Sequence, residues 1–251
     1  MPYVKRTTTA GKTVEIEYYY TSRYQKRGQK RQDKVKPTRE EQKRVNERQA
    51  QRKLRLLLNA NFGYGDYHVV LDYIRRKEEE PRSKEQMRTD IDKFLRECRK
   101  LYKAAGKEFK YIHVMEIGEK GARHHHLVIN KCDTEILQQA WYKAYEGHNR
   151  VKVFPLDDTG QYSELASYFL KYTDKHRTEE EGALMSKRYN SSRNLVRPEP
   201  VYEIISQRNW FKAEPHAPKG WYVDKDSIER GIHSPEFYGY GYFRYRIVRL
   251  E

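Results

Sequence analysis

The sequence is poor in cysteine and in long apolar segments. Cys98 and Cys132 are the only cysteines among its 251 residues, which excludes a disulfide framework and a cysteine-based zinc site and suits a reducing cytoplasm. No apolar run approaches the roughly 20 residues that a membrane-spanning helix needs, and residues 1–20 lack the apolar segment of a secretory signal. We therefore expect a cytoplasmic protein that has no membrane partner.

Positive charge is in excess and is concentrated near the start of the chain. The sequence has 51 lysine and arginine residues against 36 aspartate and glutamate residues, a net charge of +15. Residues 1–58 hold 17 of the basic and 6 of the acidic side chains. A concentrated positive field attracts polyanions such as nucleic acids. The alternative is a solvated basic segment that has no specific partner.

Basic residues recur at helical spacing within this segment. Thr38 and Glu41 form the pattern of a capping box, which predicts a helix that ends near Leu58. Its basic face is predicted to follow DNA phosphates, although a merely solvated face would show the same spacing. The residues of this face are Arg44, Arg48, Arg52, Lys53 and Arg55.

The sequence divides into three segments. Residues 1–58 are predicted to form a basic N-terminal arm and helix, with a short strand at residues 14–20 and a polar stretch after it that does not pack. Residues 59–180 form a central domain. Residues 181–251 form a C-terminal extension that packs on or extends this domain, and its final aromatic and basic residues are typical of a strand or of a surface that stacks bases.

Hydrophobic periodicity in the central domain predicts the order β-α-β-β-α-β, followed by a helix. The strands are expected at residues 66–73, 110–117, 123–130 and 150–154. The helices are expected after Ser83, after Asp133 or Thr134, and from about Ser163. This order is typical of a ferredoxin-like α+β fold, in which helices pack on one face of an antiparallel sheet. The other face is then available for a functional site.

Three consecutive histidines occupy the third of these strands. Alternate side chains of a strand share a face, so His124 and His126 point the same way, with backbones about 7 Å apart. Two imidazoles so placed can converge on a divalent ion. His125 points to the opposite face and is expected to pack against the helices. The alternative is a chance run of histidines on a solvated strand.

A third metal ligand is expected from the preceding strand. A bulged or odd-length loop places Glu116 opposite His124, whereas an even-length loop places His113 opposite His126. The residues alone leave both registers open. A carboxylate beside two imidazoles suits Mg²⁺ or Mn²⁺.

A second feature is the stretch YFLKY. Tyr168 and Tyr172 are four residues apart and share a helix face, and Lys171 is adjacent to it. A phenol has a pKa of about 10, so a nearby ammonium group and a metal-bound phosphate would favour attack by the phenolate. Two aromatic residues that pack a helix on the core would give the same pattern.

Together, and in this order, three stretches resemble the motifs of the HUH endonuclease superfamily, and within it the rolling-circle replication initiators of bacterial plasmids, phages and mobile elements. YHVVLDY is similar to the first motif, with Asp72 where threonine is usual. EIGEKGARHHHLVI is similar to the second motif, with His125 in place of the usual apolar residue. YFLKY is similar to the third. The resemblance covers about residues 60–175.

The resemblance implies a metal-dependent enzyme that nicks and rejoins origin DNA. It implies that Glu116 completes the metal site with His124 and His126, that Tyr168 is the nucleophile and that Lys171 is its partner. Tyr172 would be a second nucleophile, as in members that use a tyrosine pair. The product would be a 5′-phosphotyrosine and a 3′-OH that primes a host polymerase. Arg123 joins the candidate DNA contacts.

Partners and alternatives follow from the same stretches. The pattern GxxxxGK[ST] is absent from the sequence, so unwinding is expected to depend on a host helicase. A relaxase or a tyrosine transposase of the same superfamily is an alternative, but relaxases usually place the nucleophile ahead of the histidines. A non-catalytic module that binds single-stranded nucleic acid on a ferredoxin-like sheet is the other alternative.

Overall fold

A computed structural model describes residues 3–20, 39–74, 79–118, 121–147, 149–175, 187–205, 214–232 and 241–250. Within these ranges the protein is α+β, as predicted, with two antiparallel sheets and four helices. The chain divides into two compact units: unit 1 comprises Met1–Ala60 and Val196–Glu251, and unit 2 comprises Asn61–Leu195. Unit 1 thus contains the first predicted segment and residues 196–251 of the last one, whereas residues 181–195 belong to unit 2.

The strands in chain order are β1 (Tyr3–Ala10), β2 (Thr13–Tyr20), β3 (Tyr67–Tyr73), β4 (Tyr111–Ile117), β5 (Arg123–Ile129), β6 (Asn149–Pro155), β7 (Asn190–Ser191), β8 (Val201–Ile205), β9 (Trp221–Ile232) and β10 (Gly241–Arg249). The helices are α1 (Arg39–Asn61), α2 (Lys84–Ala104), α3 (Thr134–Ala144) and α4 (Ser163–Lys175). None of these helices combines the length and the apolar character that a membrane span requires.

Unit 1 contains a sheet with the strand order β8-β1-β2-β10-β9. The predicted strand at residues 14–20 is confirmed as part of β2, and β1 joins it through a tight turn. Gly11 in this turn has a φ of 57°, and a β-carbon there would lie 2.0 Å from the carbonyl oxygen of Asn59. Glycine is therefore required by both conformation and space. The polar stretch at residues 21–37 and the capping box at Thr38 lie outside the described residues.

Buried ion pairs join α1 to β2, and they correct one prediction. Arg52 pairs with Glu15 and Glu17, and Arg55 pairs with Glu15. Arg55 is 7% exposed, so its guanidinium group binds a carboxylate within unit 1 and is not the exposed phosphate contact that its spacing predicts. Arg52 binds two carboxylates and is half-buried. The remaining members of the predicted basic face, Arg44, Arg48 and Lys53, are exposed.

The aromatic end of the chain is buried rather than open to bases. β10 is an internal strand between β2 and β9. Phe243 stacks on Tyr18 and contacts Tyr245, and both β10 side chains are buried in an apolar cluster. Of the two expectations for this segment, the strand is confirmed, and these two rings are not available as a base-stacking surface.

Unit 2 contains the predicted order β3-α2-β4-β5-α3-β6, then α4, and its strands pair in the order β6-β3-β5-β4-β7. The predicted capping box of α2 is present, with the Ser83 hydroxyl accepting from Gln86 N and the Gln86 side chain accepting from Ser83 N. α2 and α3 bury their apolar faces against one face of this sheet. The largest residues there include Phe94 and Tyr102 of α2, Trp141 of α3 and Leu71 and Leu127 of the strands.

Helix α4 does not pack on the same sheet face as α2 and α3. Phe169 of α4 is fully buried, and its ring lies 5.5 Å from that of His68 and 6.1 Å from that of His126. Both histidines point to the sheet face opposite α2 and α3. The expectation that all helices pack on one face is therefore wrong for α4, because its apolar stripe covers part of the second face.

Candidate active site

The register of β4 and β5 resolves the choice of the third candidate ligand. Residues 118–122 connect the two strands, and in the resulting register Glu116 lies opposite His124. Directly opposed residues of an antiparallel pair share a face, so Glu116 lies on the same side as His124 and His126. His113 lies on the other side, where its Nε2 is 3.0 Å from Nδ1 of His125. The register implied by the resemblance is confirmed.

Glu116 and His126 form a close and buried pair. Oε2 of Glu116 lies 2.6 Å from Nε2 of His126, and the two side chains are 7% and 5% exposed. The two atoms do not have the orientation of a hydrogen bond, and among the described residues neither has another hydrogen-bond partner. Buried polar atoms without partners are costly. This pair is therefore arranged for a cation that both atoms can bind.

Asp72 fixes the second histidine. Its Oδ1 lies 2.8 Å from Nδ1 of His124. Burial alone would raise the pKa of the Asp72 carboxyl, but hydrogen bonds from His124, Lys152 and Arg150 outweigh burial and hold this pKa far below its usual value. An ionised carboxylate can only accept, so Nδ1 of His124 donates to Asp72, and Nε2 is the ring nitrogen that can bind a metal. Carboxylates commonly hold metal-binding histidines in this way.

His68 was not predicted as a site residue. It lies on β3 in the face shared with Asp72, and its Nε2 is 3.2 Å from Nδ1 of His126. Burial, with His126 as a second cause, lowers the pKa of His68 to about 4, so the ring is neutral near pH 7. His68 thus contacts the nitrogen of His126 that faces away from Glu116. The sequence does show that His68 and Asp72 are four residues apart and therefore share a face of β3. It does not show that His68 lies beside His126, because the pairing of β3 with β5 is not encoded in β3 alone.

These side chains fit a divalent ion in part. Glu116 and His126 offer two buried donor atoms 2.6 Å apart, and His124 lies on the same face with its Nε2 near the turn, 3.7 Å from where a β-carbon of Gly118 would lie. Among the described residues, however, no three His, Cys, Asp or Glu side chains have their donor atoms gathered as in a metal site. The ring centroids of His124 and His126 are 6.2 Å apart. The carboxylate and imidazole donors suit Mg²⁺ or Mn²⁺.

The candidate nucleophile lies beside this group. Tyr168 of α4 is 37% exposed, and its ring centroid is 5.4 Å from that of His126 and 6.2 Å from that of His68. Lys171, one turn further along α4, is exposed. Tyr172 belongs to the same helix, but its side chain lies outside the part of the structure that is described. The structure therefore brings Tyr168 to the histidines that precede it by about forty residues in the sequence.

Two residues of β5 lie on the opposite face. His125 is fully buried; its Nε2 is 2.8 Å from the Tyr73 hydroxyl, which donates to Asp90. Burial and its histidine neighbours lower the pKa of His125 far below the usual value. The full burial of His125 confirms that this side chain packs in the core. Arg123 alternates with His124 in the same way. It is half-buried on the side of His125 and does not lie beside the paired histidines, as a DNA contact at this site would.

A family model matches residues 66–177, which run from the start of β3 to just beyond α4. The family is described as replication-associated protein ORF2/G2P. This similarity spans less than half of the chain but contains every residue of the site above. It indicates a role in DNA replication and thus an interaction with DNA. No curated protein and no solved structure matches the chain.

Proposed function

We propose that unit 2 is a ferredoxin-like HUH-type endonuclease that nicks and rejoins single-stranded origin DNA to initiate replication. The observation that carries the proposal is the position of Tyr168. Its ring lies beside His126, which in turn lies 2.6 Å from Glu116 on a sheet face that also carries His124. A nucleophile, a carboxylate and two imidazoles thus share one surface. The match to a replication-associated family falls on this stretch of the chain.

Tyr168 would perform the transfer. Its phenolic oxygen forms a bond to the phosphorus of the scissile phosphodiester and loses its proton, the P–O3′ bond breaks, and the 3′ oxygen takes up a proton. The products are a 5′-phosphotyrosine and a 3′-OH that a host polymerase can extend. The phosphotyrosine stores the energy of the broken bond, so attack by a 3′-OH reverses the reaction and joins the strands. Lys171, adjacent on α4, supplies positive charge near the phosphate.

The other side chains would hold and orient. Glu116, His124 and His126 would bind Mg²⁺ or Mn²⁺, which supplies positive charge to the phosphate oxygens and orients them. Asp72 accepts from Nδ1 of His124 and so orients the ring with Nε2 as the metal-binding nitrogen. The buried ring of Phe169 contacts His68 and His126 and so fixes the middle of α4, and with it Tyr168, against the sheet.

Incubation of the full chain with single-stranded origin DNA and Mn²⁺ tests the proposal. The expected result is a covalent protein–DNA adduct whose phosphorylated peptide contains Tyr168, and which is absent in Tyr168→Phe. Tyr142→Phe is the matched control, since this exposed tyrosine is on α3. An adduct that persists in Tyr168→Phe would overturn the assignment of the nucleophile. Salt-sensitive binding without any adduct would favour a non-catalytic binding module.

A further inference from the structure

We infer that the exposed face of β6 is a track for single-stranded DNA, on which Phe154 stacks a base and Arg150 and Lys152 contact phosphates. These three residues are not among the candidates that the sequence patterns indicate. The inference rests on the proposed function for the identity of the nucleic acid, and it assigns a surface beside the site rather than the site itself.

The track lies on the same sheet face as the candidate active site. β6 is an edge strand and pairs with β3, with Phe154 opposite His68, Lys152 opposite Val70 and Arg150 opposite Asp72. The intervening residues Val151 and Val153 pack on the core between α3 and the sheet. β6 therefore presents two cations and an aromatic ring, at alternate positions, toward the face that carries the histidines.

Phe154 has the exposure and the surroundings of a stacking platform. It is 49% exposed, which is unusual for a phenylalanine in a strand, and its ring lies 5.8 Å from that of His68. His68 also lies 6.2 Å from Tyr168, so Phe154 and the candidate nucleophile flank the same histidine. A base that stacks on Phe154 would belong to a nucleotide close to the phosphate that Tyr168 attacks. Aromatic rings bind unpaired bases in this way because every base has a π face.

The charges beside Phe154 suit a phosphate backbone. Arg150 and Lys152 share Oδ2 of Asp72 at 2.8 Å and 2.9 Å, and their side chains are 56% and 40% exposed. One carboxylate thus holds two cations, and a net positive charge remains on the exposed side. The contact to Asp72 restrains both side chains near the histidines, which reduces the entropy that they lose when they bind phosphate. Cations and an aromatic ring thus lie side by side along β6. This arrangement suits single-stranded DNA, in which unpaired bases and phosphates are both accessible.

The test is binding of the full chain to oligo(dT) by fluorescence anisotropy in EDTA, where metal-dependent cleavage is stopped. Phe154→Ala is expected to weaken binding about tenfold. On an abasic strand of equal length and charge, Phe154→Ala should change nothing, because no base is left to stack. Arg150→Gln with Lys152→Gln should lower the slope of log Kd against log salt by about 0.7 for each lost phosphate contact on both strands.

Matched controls lie on the opposite side of unit 2. Tyr142 is 65% exposed and the side chain of Lys143 is 58% exposed, both on α3; Tyr142→Ala and Lys143→Gln should leave oligo(dT) binding unchanged. Phe154→Leu keeps an apolar cover over His68 without a π face, so it should fold normally and still lose the base-dependent affinity. Equal losses on oligo(dT) and the abasic strand, wild-type affinity of Phe154→Leu, or an unchanged salt slope would each overturn the track.

Failure of the track and failure of the proposed function give different results. A tyrosine adduct that forms normally in Phe154→Ala and in the double Gln variant, with unchanged affinity, would refute the track and leave the endonuclease. Base-dependent binding through Phe154 with no adduct under any condition would support the track and refute the endonuclease.

Discussion

Nδ1 of His124 on β5 lies 2.8 Å from Oδ1 of Asp72 on β3. The other carboxylate oxygen of Asp72 binds Arg150 and Lys152 of β6. One side chain therefore orients a candidate metal ligand and also holds the two cations of the proposed DNA track. These contacts compensate the charge of a buried carboxylate in a strand that is otherwise largely apolar.

Asp72→Asn tests the orienting role. The neutral amide removes the charge that fixes the tautomer of His124, so we expect the affinity for Mn²⁺ to fall about tenfold or more. Titration of the full chain with Mn²⁺, followed by electron paramagnetic resonance, measures this. Asp92→Asn, at an exposed position of α2, is the control and should bind Mn²⁺ as the wild type does. Wild-type affinity in Asp72→Asn would contradict the prediction.

His68 should act through His126. Replacement by leucine removes the partner of Nδ1 of His126, and we expect about a tenfold loss of Mn²⁺ affinity. His68→Gln retains a polar group and should recover part of it. The same Mn²⁺ titration gives the result, and His216→Leu in unit 1 serves as the control. A loss of thermal stability without any change in Mn²⁺ affinity would assign His68 a packing role alone.

Substitution of His124 and substitution of His125, which are adjacent on β5, should affect different properties of the protein. His125→Leu leaves the Tyr73 hydroxyl and Nε2 of His113 without their buried partner, so we expect the free energy of unfolding to fall by about 2 kcal/mol. His124→Ala should change this free energy little and should lose Mn²⁺ affinity instead. Urea unfolding combined with Mn²⁺ titration separates the two effects. Identical behaviour of the two variants would refute the division of faces.

Lys171 should affect the chemical step and not metal binding. Lys171→Ala removes the ammonium group one turn from Tyr168, and we expect the rate of adduct formation to fall about a hundredfold. Lys171→Arg should restore most of the rate because it keeps the charge. Single-turnover adduct formation at saturating Mn²⁺ is the measurement.

Tyr172→Phe should still give an adduct at Tyr168, and loss of that adduct would make Tyr172 the nucleophile.

Acid should weaken unit 1 through Glu15. Burial would raise the pKa of its carboxyl, but Arg55 and Arg52 outweigh burial and lower this pKa to about 2. Because the folded pKa is below the ordinary value of 4.5, the stabilisation is present above that value and is lost as the pH falls toward 2. The Glu15→Gln variant, which leaves Arg55 buried without its anion, should lose about 3 kcal/mol near neutral pH.

The pH dependence and a surface pair provide the check. The free energy of unfolding of Glu15→Gln should fall less between about pH 5 and pH 2 than that of the wild type. Glu203→Gln breaks the exposed pair between Lys5 and Glu203 and should cost less than about 1 kcal/mol. If the free energies of unfolding of the wild type and of Glu15→Gln fall in parallel with pH, the buried pair of Glu15 is not the cause of the acid destabilisation.

Local patterns predicted unit 2 well. The Ser83 capping box, the alternation around His125 and the period of α2 are encoded within a few residues, and each is present. The register of β4 and β5 was the exception, because it depends on loop geometry that alternation does not reveal. His68 was missed for a related reason: one histidine in an apolar strand gains its role from a partner on β5.

Long-range pairing explains the other differences. β1 pairs with β8 and β2 with β10, across most of the chain, and no local signal reports such distant partners. The spacing of Arg52 and Arg55 predicted a helix face but not the carboxylates that it meets. An apolar stripe on α4 likewise shows that this helix is covered, without indicating which face of the sheet covers it.

The division of unit 1 between the two ends of the chain has a consequence for biosynthesis. Its internal strand β10 follows β9 and comes after all of unit 2 in the sequence. A ribosome therefore releases the complete histidine and tyrosine surface while β10, the second partner strand of β2, is still untranslated. Interrupted translation, or proteolysis near residue 196, would yield chains that hold a whole candidate nuclease unit beside an unfinished sheet.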